Sequence, residues 1–218
     1  MADWQWRKTA DYFSLQWPQP RPCLSSAVLN GGLCQARSLL NLRVGSDTPA
    51  PLLTPEQSLY QAAQQQQLAE QCVGLMTAAS MNSLRHREAN LHGAAVAIFV
   101  SCGLSNARRA GDPYDWQADH GPSIGTINSV LITDLKLPVA SMVELHGLLS
   151  EAKAAVLQEL DIRSPRSGKI ATGTGTDACA VIGGHGREEK WFGKHTEAGA
   201  LCAQLYMDAL RCSIERSP

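Results

Sequence analysis

Five short clusters of small polar residues carry the chemistry this sequence can offer. They are Leu29-Asn30-Gly31-Gly32, Gly74-Leu75-Met76-Thr77-Ala78, Gly103-Leu104-Ser105-Asn106-Ala107, Gly125-Thr126-Ile127-Asn128 and Ala171-Thr172-Gly173-Thr174-Gly175-Thr176-Asp177. Glycine lets backbone approach a ligand closely. Asn side chains and exposed N–H groups bind carbonyl and oxyanion oxygens. A threonine hydroxyl becomes a nucleophile once a base takes its proton. Any one such cluster is equally an ordinary turn. Five with the same chemistry point to a site that handles neutral oxygen and nitrogen groups.

Other chemistries are weaker. Gly173 to Ala178 fits G-x-G-x-x-A, but Cys179-Ala180-Val181-Ile182 follows and reads as strand, whereas a dinucleotide fingerprint must open a helix. There is no G-x-S-x-G elbow and no HExxH or HxxEH. The six histidines show no metal spacing, and the seven cysteines form no CxxC pair. Neither a metal nor a cofactor is expected.

The elements that must hold these loops follow from length and pattern. The chain has 218 residues, 44% hydrophobic residues and a formal net charge of −1, which suits a single domain, 1–218, with a sizeable core. Balanced charge excludes a general attraction to nucleic acid. The longest apolar run, Ala94 to Val100, is far short of the roughly 20 residues of a membrane span. The start, MADWQWRK, lacks a signal-peptide stretch. The expectation is a cytoplasmic protein with reduced, mostly buried thiols.

Three segments read as helices. Thr54-Pro55-Glu56-Gln57 makes a capping box and opens one that runs to about Gln71. A second follows Pro138 and reaches about Leu160, with Met142, Leu145, Leu149, Ala152, Val156 and Leu160 as its apolar stripe. A third begins near Thr196, with the stripe Ala198, Leu201, Leu205, Ala209 and Cys212. Strands are expected at Tyr12–Trp17, Cys23–Leu29, Gln35–Val44, Val73–Ala79, Gly93–Ser101, Thr126–Thr133 and Lys169–Ile182. Strands outnumber helices and often follow one another directly. That predicts an α+β fold, a layered α/β sandwich with mixed, largely antiparallel sheets. Loops are expected at Gly45 to Leu53 and around Asp112, Asp115, Trp116 and Asp119.

At these residues the chain resembles the CbiZ family, adenosylcobinamide amidohydrolases of cobamide salvage. The resemblance rests on Ser26-Ala27-Val28-Leu29-Asn30-Gly31-Gly32, Gly74 to Ala79, Gly103 to Asp112, Gly125 to Asn128, Glu151-Ala152-Lys153, Ala171 to Ala178 and Gly193-Lys194-His195-Thr196. It covers roughly residues 22 to 213 and leaves the first 21 outside as an N-terminal extension. It implies hydrolysis of the amide joining the corrin ring to its aminopropanol arm, with a small-molecule corrinoid as substrate rather than cofactor. Departures are mild: Ser150, Ser101-Cys102 and Ala200 replace residues more usual in the family.

A second resemblance bears on mechanism. Gly125 to Asp134, a Leu-Pro with a long helix, and Thr172 to Asp177 are similar to the layout of DmpA-like aminopeptidases and ornithine acetyltransferases. Those enzymes form an αββα sandwich and cut themselves before a Ser or Thr that becomes the nucleophile. By that likeness Thr126 is the candidate nucleophile, and its freed α-amine, with a pKa of about 8, is a usable base. The candidate catalytic residues are Thr126, Asn30, Glu151, Lys153 and Asp177. Those expected to bind substrate are Asn106, Thr77, Asn128, Thr172, Thr174, Thr176 and His195. Glu151 and Lys153 stand at i and i+2 and do not face each other. Both border the apolar stripe, Glu151 on the row of Glu144 and Leu148, Lys153 on that of Leu149 and Val156. A corrinoid-binding module without hydrolysis, and a Thr-dependent amidase acting on another amide, remain open alternatives. So does association into a homo-oligomer.

Overall fold

Strand β2, Tyr12–Ser25, is the longest strand and the one that shapes the molecule. The computed structural model describes residues 3–45, 53–68, 71–114 and 125–215. The remaining strands are β1 (Gln5–Lys8), β3 (Gly32–Arg43), β4 (Cys72–Thr77), β5 (Arg85–Leu91), β6 (Ala94–Cys102), β7 (Ala107–Arg108), β8 (Ile127–Thr133), β9 (Gly173–Thr174) and β10 (Ala178–Ile182). The helices are α1 (Pro55–Gln65), α2 (Val139–Glu159) and α3 (Glu197–Ile214).

Eight strands form one sheet in the order β4-β3-β2-β10-β8-β6-β5, with β1 also on β2. The β3–β4 and β8–β10 pairs are parallel and the rest antiparallel. The β2–β3 register shifts between Gln16 and Arg21. Pro18 and Pro20 lie in that stretch and have no N–H to give the ladder, so the strand bends there. The sheet folds over on itself at this bend. Phe13 of β2 stacks on Phe99 of β6 at 4.7 Å, and Asn128 of β8 donates to Asn41 of β3 and to the Met76 carbonyl of β4. None of these strands are neighbours in the sheet, so these contacts cross between two facing layers.

Strand alternation then sorts the core. Ala97, Phe99, Val130 and Ile132 point inward to meet Phe13, Leu15, Leu39, Val73 and Leu75. Their neighbours Val96, Ile98, Val100, Ile127 and Leu131 point outward under α2 and α3. On the other outside, α1 covers Tyr12, Leu40 and Cys72 with Leu59 and Ala63. The layers run α, β, β, α, which is the layered α/β sandwich the sequence implies.

Several boundaries differ from expectation for local reasons. The Thr54 capping box forms as expected, Gln57 N donating to Thr54 Oγ1 at 3.3 Å and Thr54 N to Gln57 Oε1 at 2.9 Å. Helix α1 nevertheless ends at Gln65, not Gln71, because Gln67 turns left-handed (φ +55). Residues 12–17 and 23–25 are one strand rather than two. Residues 26–29 leave it as a loop whose Val28 and Leu29 N–H groups bond to Gly74. Only Gly173–Thr174 and Ala178–Ile182 of the expected strand Lys169–Ile182 are strand. In α3 the buried face is Ala198, Cys202, Tyr206, Ala209, Leu210 and Ser213, rotated from the expected stripe, with Leu201 and Leu205 at its margin. Leu160 caps α2 and is exposed. Strand β5 has no apolar alternation to mark it, because its sequence, RHREANL, is largely polar, as suits a sheet edge. His92 (φ +49) and Gly93 (φ +89) form the tight turn that returns it as β6. The loop at 46–52, and Asp115, Trp116 and Asp119, lie outside the described residues.

The first tryptophans belong to this architecture. Trp4 is buried under the Arg21 guanidinium at 5.4 Å. Trp6 meets Phe13, His86 and Phe99 at 6.3, 5.0 and 5.7 Å. Phe99→Ala is expected to lower the unfolding free energy by about 3–5 kcal/mol in a urea titration. Tyr60→Ala, on the exposed face of α1, should change it by less than about 0.5 kcal/mol.

Candidate active site

Parallel pairing of β8 and β10 brings the start of one strand beside the start of the other. Ala178 lies opposite Asn128, so Thr176 and Asp177 lie beside Thr126 and Ile127. Antiparallel β6 delivers its end to the same place, with Cys102 opposite Ile127 and Gly103 N donating to Thr126 O at 3.0 Å. The small β7–β9 ladder pairs Ala107 with Thr174, and Gly175 N donates to Asn106 O at 3.2 Å. Three of the five polar clusters thus converge at one end of the sandwich.

At their centre Thr126 is buried. Its Oγ1 donates to Thr176 O at 2.7 Å and lies 2.8 Å from Thr176 Oγ1. Thr176 Oγ1 in turn donates to Gly125 O at 3.1 Å. A hydroxyl pair therefore brackets the Gly125–Thr126 peptide. Gly125 must be glycine here, since a Cβ would sit 2.6 Å from Asn106 Oδ1 and 2.8 Å from Gly103 O.

Asp177 organises the turn. Its Oδ1 accepts from Ile127 N at 3.0 Å and Thr174 Oγ1 at 2.5 Å. Its Oδ2 accepts from Thr174 N at 3.0 Å and Lys153 Nζ at 2.5 Å. Four donors occupy both oxygens, which suits the carboxylate to holding geometry rather than moving protons. The Lys153 and Asp177 side chains are only 16% and 15% exposed, so each charge depends on the other.

Buried amides line the inner side. Asn128 spends both N–H groups on Asn41 Oδ1 and Met76 O, each at 2.8 Å, and its own Oδ1 is buried without a partner. Asn41 donates to Ser101 Oγ at 3.0 Å. Asn106 is also buried, with an unpartnered Oδ1. Thr77 is buried and accepts from Ala79 N at 3.0 Å. Asn41 and Ser101 were not singled out from sequence. Their signal is a polar residue inside an apolar run, Leu39-Leu40-Asn41-Leu42 and Phe99-Val100-Ser101-Cys102.

Other expected residues are placed elsewhere. Asn30 adopts φ +54 and donates to Cys72 O at 2.8 Å, at the start of β4. Asn128 meets β4 at Met76, four residues on, which is roughly 13 Å along a strand. Asn30→Ala therefore disturbs a left-handed turn before it tests any chemistry. Although both residues border the apolar stripe of α2, Glu151 turns outward and pairs with Lys194 at the surface. Two positions along a helix point some 200° apart. Thr172 Oγ1 accepts from Ala110 N at 2.8 Å, holding the β7–β9 ladder. His195 is exposed before α3, where its ring takes the space a side chain at Gly193 would need.

Behind β8 lies a cavity of about 140 Å³ lined by Ser26, Ser129, His146, Lys153, Asp177 and Tyr206. Ser129 faces it while Asn128 faces the inner layer, so it lies across the sheet from the Asn128 side chain. Burial pushes the Tyr206 hydroxyl far up, and Ser129 Oγ lies 3.1 Å away. Among the described residues no group of three or more His, Cys, Asp or Glu could hold a metal ion. No described helix is long and apolar enough to cross a membrane.

The family model for adenosylcobinamide amidohydrolase, CbiZ, matches residues 2–217. The chain belongs to the CbiZ family. The match takes in the N-terminal strands as well as every loop named above. An uncharacterized protein of Methanocaldococcus jannaschii, MJ1613, is 32% identical over 146 residues, 60% of this chain and 57% of that protein. This CbiZ-family chain thus spans less than two thirds of that relative. The PH0078 protein from Pyrococcus horikoshii OT3 aligns with 97% of the chain and 79% of its own, at 9% identity and a TM-score of 0.48.

Lys153→Met leaves the Asp177 carboxylate buried without its cation. Urea unfolding should show a loss of about 3 kcal/mol. Lys153→Arg, which keeps the charge, should lose less.

Proposed function

We propose that the protein hydrolyses the amide between the corrin ring and the aminopropanol arm of adenosylcobinamide, releasing adenosylcobyric acid and 1-amino-2-propanol. Family membership supports amidohydrolase chemistry on a corrinoid. The observation that carries the mechanism is the hydroxyl pair at the Gly125–Thr126 peptide.

In a first, single event, Thr126 Oγ1 attacks the Gly125 carbonyl carbon. Thr176 Oγ1–H, already donating to Gly125 O, stabilises the oxyanion. The C–N bond breaks, the nitrogen takes the hydroxyl proton, and an ester links Gly125 to Thr126. Water hydrolyses that ester, leaving a Gly125 carboxylate and a free Thr126 amine and hydroxyl.

In turnover the α-amine, with a pKa of about 8, takes the Oγ1 proton as Oγ1 attacks the substrate amide carbon. The proton passes to the departing aminopropanol nitrogen. Water then frees adenosylcobyric acid from the Thr126 ester. Asn106 turns its Oδ1 toward Gly125 and its Nδ2 toward Gly175, and Asn128, two residues after Thr126, offers a buried Oδ1 acceptor. The Asp177–Lys153 pair holds the Thr174–Asp177 turn that carries Thr176. The corrinoid brings its own cobalt as part of the substrate, and the chemistry uses no further cofactor.

Purified protein given adenosylcobinamide should release 1-amino-2-propanol, and a denaturing gel should show two fragments meeting at Gly125–Thr126. Thr126→Ala should stay in one piece and lose activity by roughly a thousandfold or more. Corrinoid binding without aminopropanol release would favour a binding module. Activity confined to small amides would favour a different amidase.

A further inference from the structure

Two thiols lie side by side away from the Thr126 loops. Cys23 on β2 and Cys34 on β3 are directly opposite in the antiparallel register. Directly paired antiparallel residues have Cα atoms about 4.5–5.5 Å apart, within the range a disulfide spans. Both side chains belong to the inner layer's cluster, Cys23 fully buried and Cys34 at its margin. Both are free thiols.

The two differ in access and in reactivity. Cys34 opens onto a cavity of about 280 Å³ shared with Asn30, Gly31, Gln35 and Gln71. Its Sγ also reaches Asn30 O at 3.5 Å. Cys23 donates a hydrogen bond to Cys34, which draws the Cys34 thiol down to about 7 against the opposing effect of burial. The same hydrogen bond and its own burial push Cys23 up. Burial alone pushes Cys202 up to about 12, and it leads the rise to about 12 in Cys102 and Cys179.

We propose that Cys34 and Cys23 form an oxidation site, in which Cys34 reacts with a hydroperoxide and Cys23 closes a reversible cross-strand disulfide. With hydrogen peroxide, the Cys34 thiolate attacks one oxygen, the O–O bond breaks, and Cys34 becomes a sulfenic acid as the other oxygen leaves as hydroxide, which takes up the proton the thiol released and becomes water. Cys23 sulfur then attacks Cys34 sulfur. The S–S bond forms, the S–O bond breaks, and the Cys23 proton leaves with that oxygen as a second water. Two thiols lose two electrons and the peroxide gains them. Closing the bond pulls Cys34 Sγ toward β2 and away from Asn30 O, so the Asn30–Gly31 turn feels the redox state.

The test uses the full chain and hydrogen peroxide. Trypsin leaves both thiols on one peptide, Thr9–Arg37, because Arg21 precedes Pro22, and no other cysteine lies on it. Low peroxide should lower that peptide's mass by two hydrogens before Cys212 is modified, and dithiothreitol should restore it. In Cys23→Ala, Cys34 should stop at a sulfenic acid that dimedone traps. In Cys34→Ser, Cys23 should stay a thiol at the same dose. The alkylation rate of Cys34 in the native protein should rise with pH through a midpoint near 7. Oxidation of Cys212 ahead of Cys34, or a Cys34 sulfenic acid in the wild-type chain that never crosslinks to Cys23, would overturn the proposal.

Discussion

Asp177 is the group on which the site's geometry depends. One carboxylate takes hydrogen bonds from the start of β8, from the turn before β10 and from the ammonium of α2. It can do so because β8 and β10 are parallel and in register at their first residues. A carboxylate with four donors is satisfied in a largely buried setting, where an unpaired charge would cost several kcal/mol. The result is a rigid frame in which Thr176 is held against the Gly125–Thr126 peptide.

The second constraint is the fold-over at the β2 bulge. It brings β3 and β4 across from β8 and so places Asn41 and the Met76 carbonyl against Asn128. Buried amides are tolerated only when paired. Here the pairing uses up the Asn128 donors and leaves its acceptor unpartnered at the end of the sandwich that also holds Thr126. A chain with little net charge thus offers neutral donors and acceptors at the site, as the proposed corrinoid substrate with its neutral amides requires.

Much of this was legible in the sequence, and the reasons are physical. The Thr54 capping box, the long helix after Pro138 and the apolar run of β6 depend on neighbours within a few residues, so local patterns reveal them. The Gly-Thr-Asn loops were visible because glycine and small polar residues cluster there. What stayed hidden depends on distant pairing. Strand β5 is polar because it is an edge, and β1 is short and exposed. Asn41 looks like a flaw in an apolar strand until the sheet folds over and supplies Asn128 and Ser101. The outward turn of Glu151 against the inward turn of Lys153 follows from helix geometry, but only the position of α2 on the sheet says which one faces in. Asn30, prominent in its motif, turns out to close a left-handed corner on Cys72.

In the proposed reaction Thr126 Oγ1 forms the bond to the substrate's acyl carbon. Acid-quenching the protein during turnover of adenosylcobinamide and weighing the fragment that begins at Thr126 tests it most directly. That fragment should carry the corrinoid acyl group as an ester on Thr126. An acyl group on any other residue, or full turnover while Gly125 and Thr126 remain joined, would contradict it.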